Sequence, residues 1–404
     1  MLVTGGRVFA DEGFIEADVR IQGAMVTGIM PAGHLNPTLT PDERVIDASG
    51  CFVCPGLIDL HFHGCMGSDF CDGTEEDIAV IARYQALHGV TSICPATMSF
   101  TEEKLACAMD AAARFHPKDD EASLVGINME GPFISPSKVG AQNPTYVLPC
   151  DVAMLHRLQK RAGGLVKLVD IAPEEPGALD FIREVSPDVI VSLAHTCADY
   201  DCSCEAFEAG ARHLTHLYNA MPDMNHRAPG PIIAAAERDD VVVEVIADGV
   251  HVHPAMVRLA FRLFGSERIA LISDTMRACG LGDGTFDLGG QEVLVERRVA
   301  KLADGTISGS VTDLADCLKT AVCSMGIDPW DAIRAATSVP ARVLGLDRPH
   351  DGFHTRDESE PERQGAAGAH HAARGRIQAG FLADLILFDS NMSVRQVILR
   401  GKLI

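Results

Sequence analysis

The chain has 404 residues, 47% apolar and 22% charged, which is the composition of an ordered globular protein long enough for more than one domain. Its formal net charge of −22 argues against general affinity for nucleic acid or an anionic membrane, although one local cluster of cations can still receive an anionic substrate. The opening stretch MLVTGGRVFADEGF lacks a basic segment followed by an apolar one, no apolar run is long enough to span a bilayer, and the 13 cysteines have no repeating spacing, so a cytoplasmic protein with reduced thiols is expected.

The stretches LVTGGRVFA, FIEADVRIQGAMVTGIM and ERVIDASGCFVCPG alternate apolar and polar residues between glycines, which predicts short strands. The last stretch, GRIQAGFLADLILFDSNMSVRQVILRGKLI, has the same character. These two β-rich ends predict a small β-sandwich domain built from both termini, residues 1–53 and 376–404. Between them the apolar runs GLIDLHF, VTSICPAT, LVGINME, VKLVDIAP, VIVSLAH, ARHLTHL, VEVIAD and IALISD alternate with helical patterns such as EEDIAVIARYQALHG. Eight such units predict an α/β fold of the (β/α)8 TIM-barrel type over residues 54–349. A doubly wound open sheet is the competing arrangement, but neither GxGxxG nor a phosphate-loop sequence supports it. Residues 350–375 are polar and rich in Gly and Ala; they read as a mobile loop in which His370 and His371 are solvated.

In a barrel the C-terminal strand ends gather on one face, where barrel enzymes place their sites. His61 and His63 end the first predicted strand, Glu130 the third, His195 the fifth, His216 the sixth and Asp274 the eighth. Singly, a histidine on an apolar strand is more often a hydrogen-bonded core residue than a ligand. Core packing gives no reason for a shared position at strand ends, so the set argues for one site. The i, i+2 spacing of His61 and His63 puts both on one side of a strand, whereas His213, three before His216, is expected to point the other way and to be structural. Imidazole and carboxylate donors suit a divalent cation: zinc, with iron(II) or cobalt(II) as alternatives. Thiolate ligation by Cys65 or Cys71 is a weaker reading without a CxxC pair, and DCSC, with Cys202 and Cys204, reads as capping or packing. Zinc with an open position lowers the pKa of its water to about 7. Asp274 is then the carboxylate left over to take a proton and return it to a leaving group.

The stretches PGLIDLHFHG, MEGPFISPSKVGAQNP, LAHT, THLYNAMP, ADGVHVHP and SDTM resemble the N-acetylglucosamine-6-phosphate deacetylase family of the amidohydrolase superfamily. The likeness runs from one terminal β segment to the other, and only residues 348–375 are foreign to it. EGPF and HLYNAMP carry the family; HxH carries only the superfamily. The resemblance implies hydrolysis of N-acetylglucosamine 6-phosphate to glucosamine 6-phosphate and acetate. It implies Glu130, His195 and His216 as the main metal ligands, His61 and His63 as the pair that holds a second ion in some members with Glu130 bridging, and Asp274 as catalytic acid and base. It further implies sugar-phosphate contacts at Asn219 and Ala220 and substrate contacts at the loop positions Ala141 and Ile307. Arg227 and His251 would bind phosphate, one or both reaching a neighbouring subunit of a homodimer.

Residue chemistry alone reads Arg227 equally as a solvated arginine, while His251 follows the seventh strand, where barrels commonly bind phosphate; His253 is the weaker of that pair. Two departures from the family pattern matter. Gln142 stands in GAQNP where many members have His; it donates a hydrogen bond but carries no charge, so two ions are expected, the second supplying carbonyl polarisation. Arg277 in TMRACG adds a cation near the mouth and leaves the galactosamine epimer open. A cyclic-amide hydrolase of the same superfamily is the rival; it usually carries a carboxylated lysine at the end of strand four, but Lys167 lies near the start of VKLVDIAP.

Overall fold

The computed structural model describes residues 1–32, 44–348 and 372–404, so the stretch expected to be a loop, with His370 and His371, lies outside the described residues up to 371. No helix among the described residues is long and apolar enough to cross a membrane.

Both termini contribute to one eight-stranded sheet. Leu2–Ala10, Gly13–Gln22 and Met25–Pro31 form a meander, and Leu2–Ala10 also pairs with Val45–Asp47 and Phe52–Pro55. Phe52–Pro55 runs antiparallel to Leu385–Phe388, which leads into Val394–Leu399 and Lys402–Leu403. Period-two alternation drives this arrangement. Ala17, Val19 and Ile21 on one strand are buried against Val3, Val8, Val53, Leu385, Leu387 and Ile398, a core separate from that of the barrel.

The barrel strands follow in chain order: Leu57–Asp59, Val90–Ile93, Ser123–Leu124 continued as Ile127–Met129, Val166–Ile171, Ile190–Leu193, His213–Leu214, Val242–Ile246 and Ile269–Ile272. Each pairs in parallel with the next, the second and third also being joined by the bridge Ala96–Asn128. The ring closes just beyond the strand ends. The Asp274 N–H donates to the His61 carbonyl at 2.9 Å, and the His63 N–H donates to the Thr275 carbonyl at 2.7 Å. An open doubly wound sheet has no such closure.

Alternation along the seventh strand shows how the barrel fills. Val242 and Ile246 belong to one interior cluster with Ile58, Leu168, Ala270 and Ile272, residues of the first, fourth and eighth barrel strands. Val243 and Val245, which point the other way, belong to the layer shared with helix residues such as Val257 and Ala260. Glu244 therefore faces the interior.

The surrounding helices are amphipathic and capped. In Glu102–Arg114, Leu105, Ala108, Met109 and Ala112 recur on one buried face, and the Thr101 hydroxyl accepts the Lys104 N–H. An unanticipated three-stranded sheet, Gly284–Leu288, Gln291–Glu296 and Val299–Lys301, follows the eighth strand. It was legible as alternation around Gly289-Gly290, whose φ values of +62° and +78° suit a two-residue hairpin. Leu288, Val293 and Val295 pack it onto Met98 and Met276 beside the strand ends.

Leu168 is fully buried in the barrel interior. Leu168→Ala should lower unfolding free energy by about 2–5 kcal/mol, read from the urea midpoint at constant slope.

Candidate metal centre and active site

The first barrel strand ends at Asp59, and His61 and His63 sit in the bend beyond it. Strand alternation therefore does not aim them. The closure hydrogen bonds at His61 and His63 do, and their ring centroids come 5.6 Å apart. Three other candidates lie at positive φ, a region costly for non-glycine residues: His195 at +44°, His216 at +26° and Asp274 at +50°. Each lies two residues beyond the end of its strand, at Leu193, Leu214 and Ile272.

The outcome is two adjoining groups of potential ligands, Glu130, His195 and His216 in one and His61, His63 and Asp274 in the other, with the ligand atoms of each within 4.8 Å of one another. All six residues are buried. In the first group Glu130 Oε1 lies 3.0 Å from His195 Nε2 and 3.2 Å from His216 Nε2, and the two nitrogens are 3.1 Å apart. Ligands about 2.0 Å from a tetrahedral metal stand about 3.3 Å from each other, so this triangle is close to one face of such a polyhedron. Glu130 also reaches the second group, Oε1 lying 3.6 Å from His61 Nε2 and Oε2 lying 3.4 Å from His63 Nε2. Asp274 Oδ1 is 3.3 Å from His63 Nε2 and 3.9 Å from His61 Nε2. Among the described residues, His61 Nε2 is buried with no hydrogen-bond partner. An orphaned imidazole nitrogen facing two carboxylates, and two nitrogens converging on one oxygen, fit a cation at each position.

Burial alone would raise the Glu130 carboxyl, but His61 and hydrogen bonds from His195 and His216 hold it well below the ordinary range. Asp274 is treated alike: burial opposes ionisation, and His63, then His61, more than reverse this. Burial would lower His61, yet Glu244 and Glu130 raise it well above its usual value. Asp59, fully buried, is pushed up to about 7 by burial although it accepts from Ser273 and the His61 N–H.

The supporting contacts differ from some expectations. Gln142 is buried; its Nε2 donates to Glu130 Oε2 at 2.7 Å while its Oε1 accepts the Ser99 N–H at 2.7 Å. Its amide thus holds Glu130. His213 does not point away. Its strand is only His213–Leu214, and the positive φ at His216 breaks the alternation. The ring lies among the same buried groups, with Nδ1 3.0 Å from Ser192 Oγ and 3.8 Å from Glu244 Oε1. It belongs to neither ligand group. Glu244 went unnoticed in the sequence, yet a carboxylate in the middle of VEVIAD was a signal, since buried charges need partners.

The Ala141 carbonyl accepts from Gln291 of the inserted sheet at 2.7 Å, and the neighbouring Lys138 carbonyl meets His195 Nδ1 at 3.0 Å. Asn219 donates its amide to the carbonyls of His216 and Leu217, and the Ala220 carbonyl accepts the Thr196 N–H. Half-buried Ile307 pairs with Lys301, and Ser310 just after it donates to the Asp274 carbonyl. His251 Nδ1 lies 2.8 Å from Asp248 Oδ2 and its side chain is 6% exposed. His253 caps the helix Pro254–Phe264 instead. Arg227 is exposed, makes no ion pair among the described residues, and is not among the residues gathered around Glu130. Arg277 is no free cation: it bonds Asp72 at 3.0 Å and the carbonyls of Gly67 and Asp287. Cys65 and Cys71 are buried thiols, raised by burial, outside both ligand groups. Asp199, not a cysteine, caps the helix Tyr200–Ala209 that holds Cys202 and Cys204. Lys167 is the second residue of the fourth strand, away from its C-terminal end.

Residues 52–349 match the amidohydrolase family. The chain is 35% identical over 357 residues to the N-acetylglucosamine-6-phosphate deacetylase of Bacillus subtilis (strain 168), covering 87% of this chain and 84% of that protein. It is 31% identical over 400 residues to the N-acetylgalactosamine-6-phosphate deacetylase of Escherichia coli O157:H7, covering 98% and 97%. Among solved structures it is similar to the N-acetyl-D-glucosamine-6-phosphate deacetylase of Mycobacterium smegmatis, with a TM-score of 0.86 and 31% identity over 100% of both chains. The chain therefore belongs to the N-acetylglucosamine-6-phosphate deacetylase family of amidohydrolases.

Proposed function

We propose that this chain removes the acetyl group of N-acetylglucosamine 6-phosphate, giving glucosamine 6-phosphate and acetate in amino-sugar catabolism. The observation that carries this reading is the buried Glu130 carboxylate shared by two ligand groups, with ionised Asp274 at one edge. The galactosamine epimer is the second reading, favoured by the likeness to the Escherichia coli enzyme named for it. Arg277 does not bear on the choice, because its partners already occupy it.

Glu130, His195 and His216 would hold one divalent cation, and His61 and His63, with Glu130 bridging, a second. The all-nitrogen-and-oxygen donor set supports zinc, with iron(II) or cobalt(II) as alternatives. Bound there, the cation supplies an acidified water and an electrophile for the amide carbonyl. Asp274 takes the proton of the attacking water and delivers it to the amine nitrogen as the C–N bond breaks. Gln142 keeps the Glu130 carboxylate in place.

His251, Asn219, Ala220, Ala141 and Ile307 are read as the sugar and phosphate contacts. Exposed Arg227 is read as completing the phosphate site of a neighbouring subunit, hence a homodimer. We read residues 1–53 and 376–404 as a β-sandwich domain, supported by their own apolar core, and residues 54–349 as the hydrolase barrel. All 13 cysteines are free thiols, which supports a cytoplasmic location.

The direct test is acetate release from both phosphorylated epimers, measured together with metal content per chain; release from neither would overturn the proposal. Asp274→Asn should lose roughly 10²–10⁴-fold in kcat while keeping its metal, and near-normal turnover would remove Asp274 from this role. For His251, burial lowers the imidazole pKa, but Asp248 and then Asp274 raise it above the ordinary value. Its cationic form is therefore present below that raised value and lost as pH rises through it. KM for the phosphorylated substrate should climb as pH rises through that raised value. His251→Asn should raise the neutral KM about 10–100-fold and flatten the profile.

A further inference from the structure

Glu244 stands in the middle of the seventh strand, inside the barrel, with its side chain fully buried. One of its oxygens serves both ligand groups. Oε2 lies 2.9 Å from His61 Nδ1 and accepts the backbone N–H of His216 at 3.1 Å. Oε2 is already an acceptor for the His216 N–H, and the geometry assigns it the same role toward Nδ1, with the proton on that nitrogen. The other neighbour, Asn128 Nδ2, is 3.5 Å from the same nitrogen and cannot compete at that length. With Nδ1 protonated, the lone pair of a neutral His61 is on Nε2, the buried atom that has no partner and faces Glu130 and Asp274. His63 has no such brace among the described residues, where its Nδ1 is buried without a partner.

We infer that Glu244 is a positioning residue that fixes the tautomer and ring orientation of His61 and thereby determines whether the second ion binds. A carboxylate behind a metal-bound imidazole holds the ring, raises its basicity and commonly changes metal affinity severalfold or more. The backbone bond to His216 ties the same carboxylate to the first position, so the geometry of the two groups is linked through one side chain. A carboxylate kept only to fill the barrel would need neither contact, since apolar residues at Val242 and Ile246 fill their layers well. The inference rests on the two-ion reading above.

The test uses zinc titration of the metal-stripped chain against a chelating indicator, and the ring ¹⁵N spectrum of the zinc-loaded chain. The wild type should take up two zinc ions in resolvable steps, and His61→Ala should lose the second. Glu244→Leu should weaken the second step about 10–100-fold, and Glu244→Gln, which keeps an acceptor oxygen without the charge, about 10-fold. In the wild type the spectrum should show a proton on His61 Nδ1 and none on Nε2. A merely structural glutamate would lower the melting temperature without moving either readout. Second-step affinities within about threefold of wild type in both variants, or a His61 without the Nδ1 proton, would overturn the inference. If Glu244→Leu does not unfold cooperatively, Glu244→Gln and the spectrum decide. A wild-type chain that binds one zinc regardless of His61 overturns the inference and the two-ion reading together. Acetate release by the wild type tests the deacetylase reading separately.

Discussion

The buried carboxylate of Glu130 is the constraint on which the site depends. It is 3% exposed, and an ionised carboxylate so placed is costly unless countercharges and donors surround it. Imidazoles approach both of its oxygens, and the Gln142 amide donates to one of them. Those groups are themselves buried and need partners. His195 has the Lys138 carbonyl, His61 has Glu244, and Gln142 has the Ser99 N–H. The requirement spreads outward through loops and strands from every part of the ring. Removing one member leaves others buried without compensation, which costs far more than the net value of any single hydrogen bond.

Barrel closure and site assembly are carried by the same backbone bonds. The Asp274 N–H donates to the His61 carbonyl and the His63 N–H donates to the Thr275 carbonyl, so the join between the last strand and the first also sets His61 and His63 against Asp274. Positive φ at His195, His216 and Asp274 costs of order 1–3 kcal/mol each. The packed barrel offsets this, with Leu168, Ile246, Ala270 and Ile272 filling the interior layers around it. The rigid aliphatic layer and the strained polar layer are thus parts of one arrangement.

Electrostatics fits an anionic substrate in spite of the overall charge of −22. The field of distant carboxylates is screened within about 8–10 Å at ordinary ionic strength, so the local cations decide. In the proposed reading His251, braced by Asp248, would be such a group, whereas Arg277 is engaged by Asp72 and the carbonyls of Gly67 and Asp287.

Much of this was readable from residue order. Eight apolar runs separated by helical spacing specify a ring of parallel strands, because periodicity is a local property of a few residues. Glu130 and the five residues gathered around it were also legible, since metal chemistry admits few side-chain types and strand ends share one face. The rest required contacts between distant segments. Alternation placed His61 and His63 on one strand face, but the strand ends at Asp59 and closure aims them. The same rule turned His213 away, although a two-residue strand and a positive φ bring it beside Glu244. Arg277 read as a free cation because Asp72 lies 205 residues away. Glu244 was seen only as part of a strand, because its partner His61 is 183 residues away. Sequence by itself determined which residue types stand at the strand ends. Only the closed barrel decided which oxygen faces which ring, because those distances depend on packing between residues that local periodicity cannot relate.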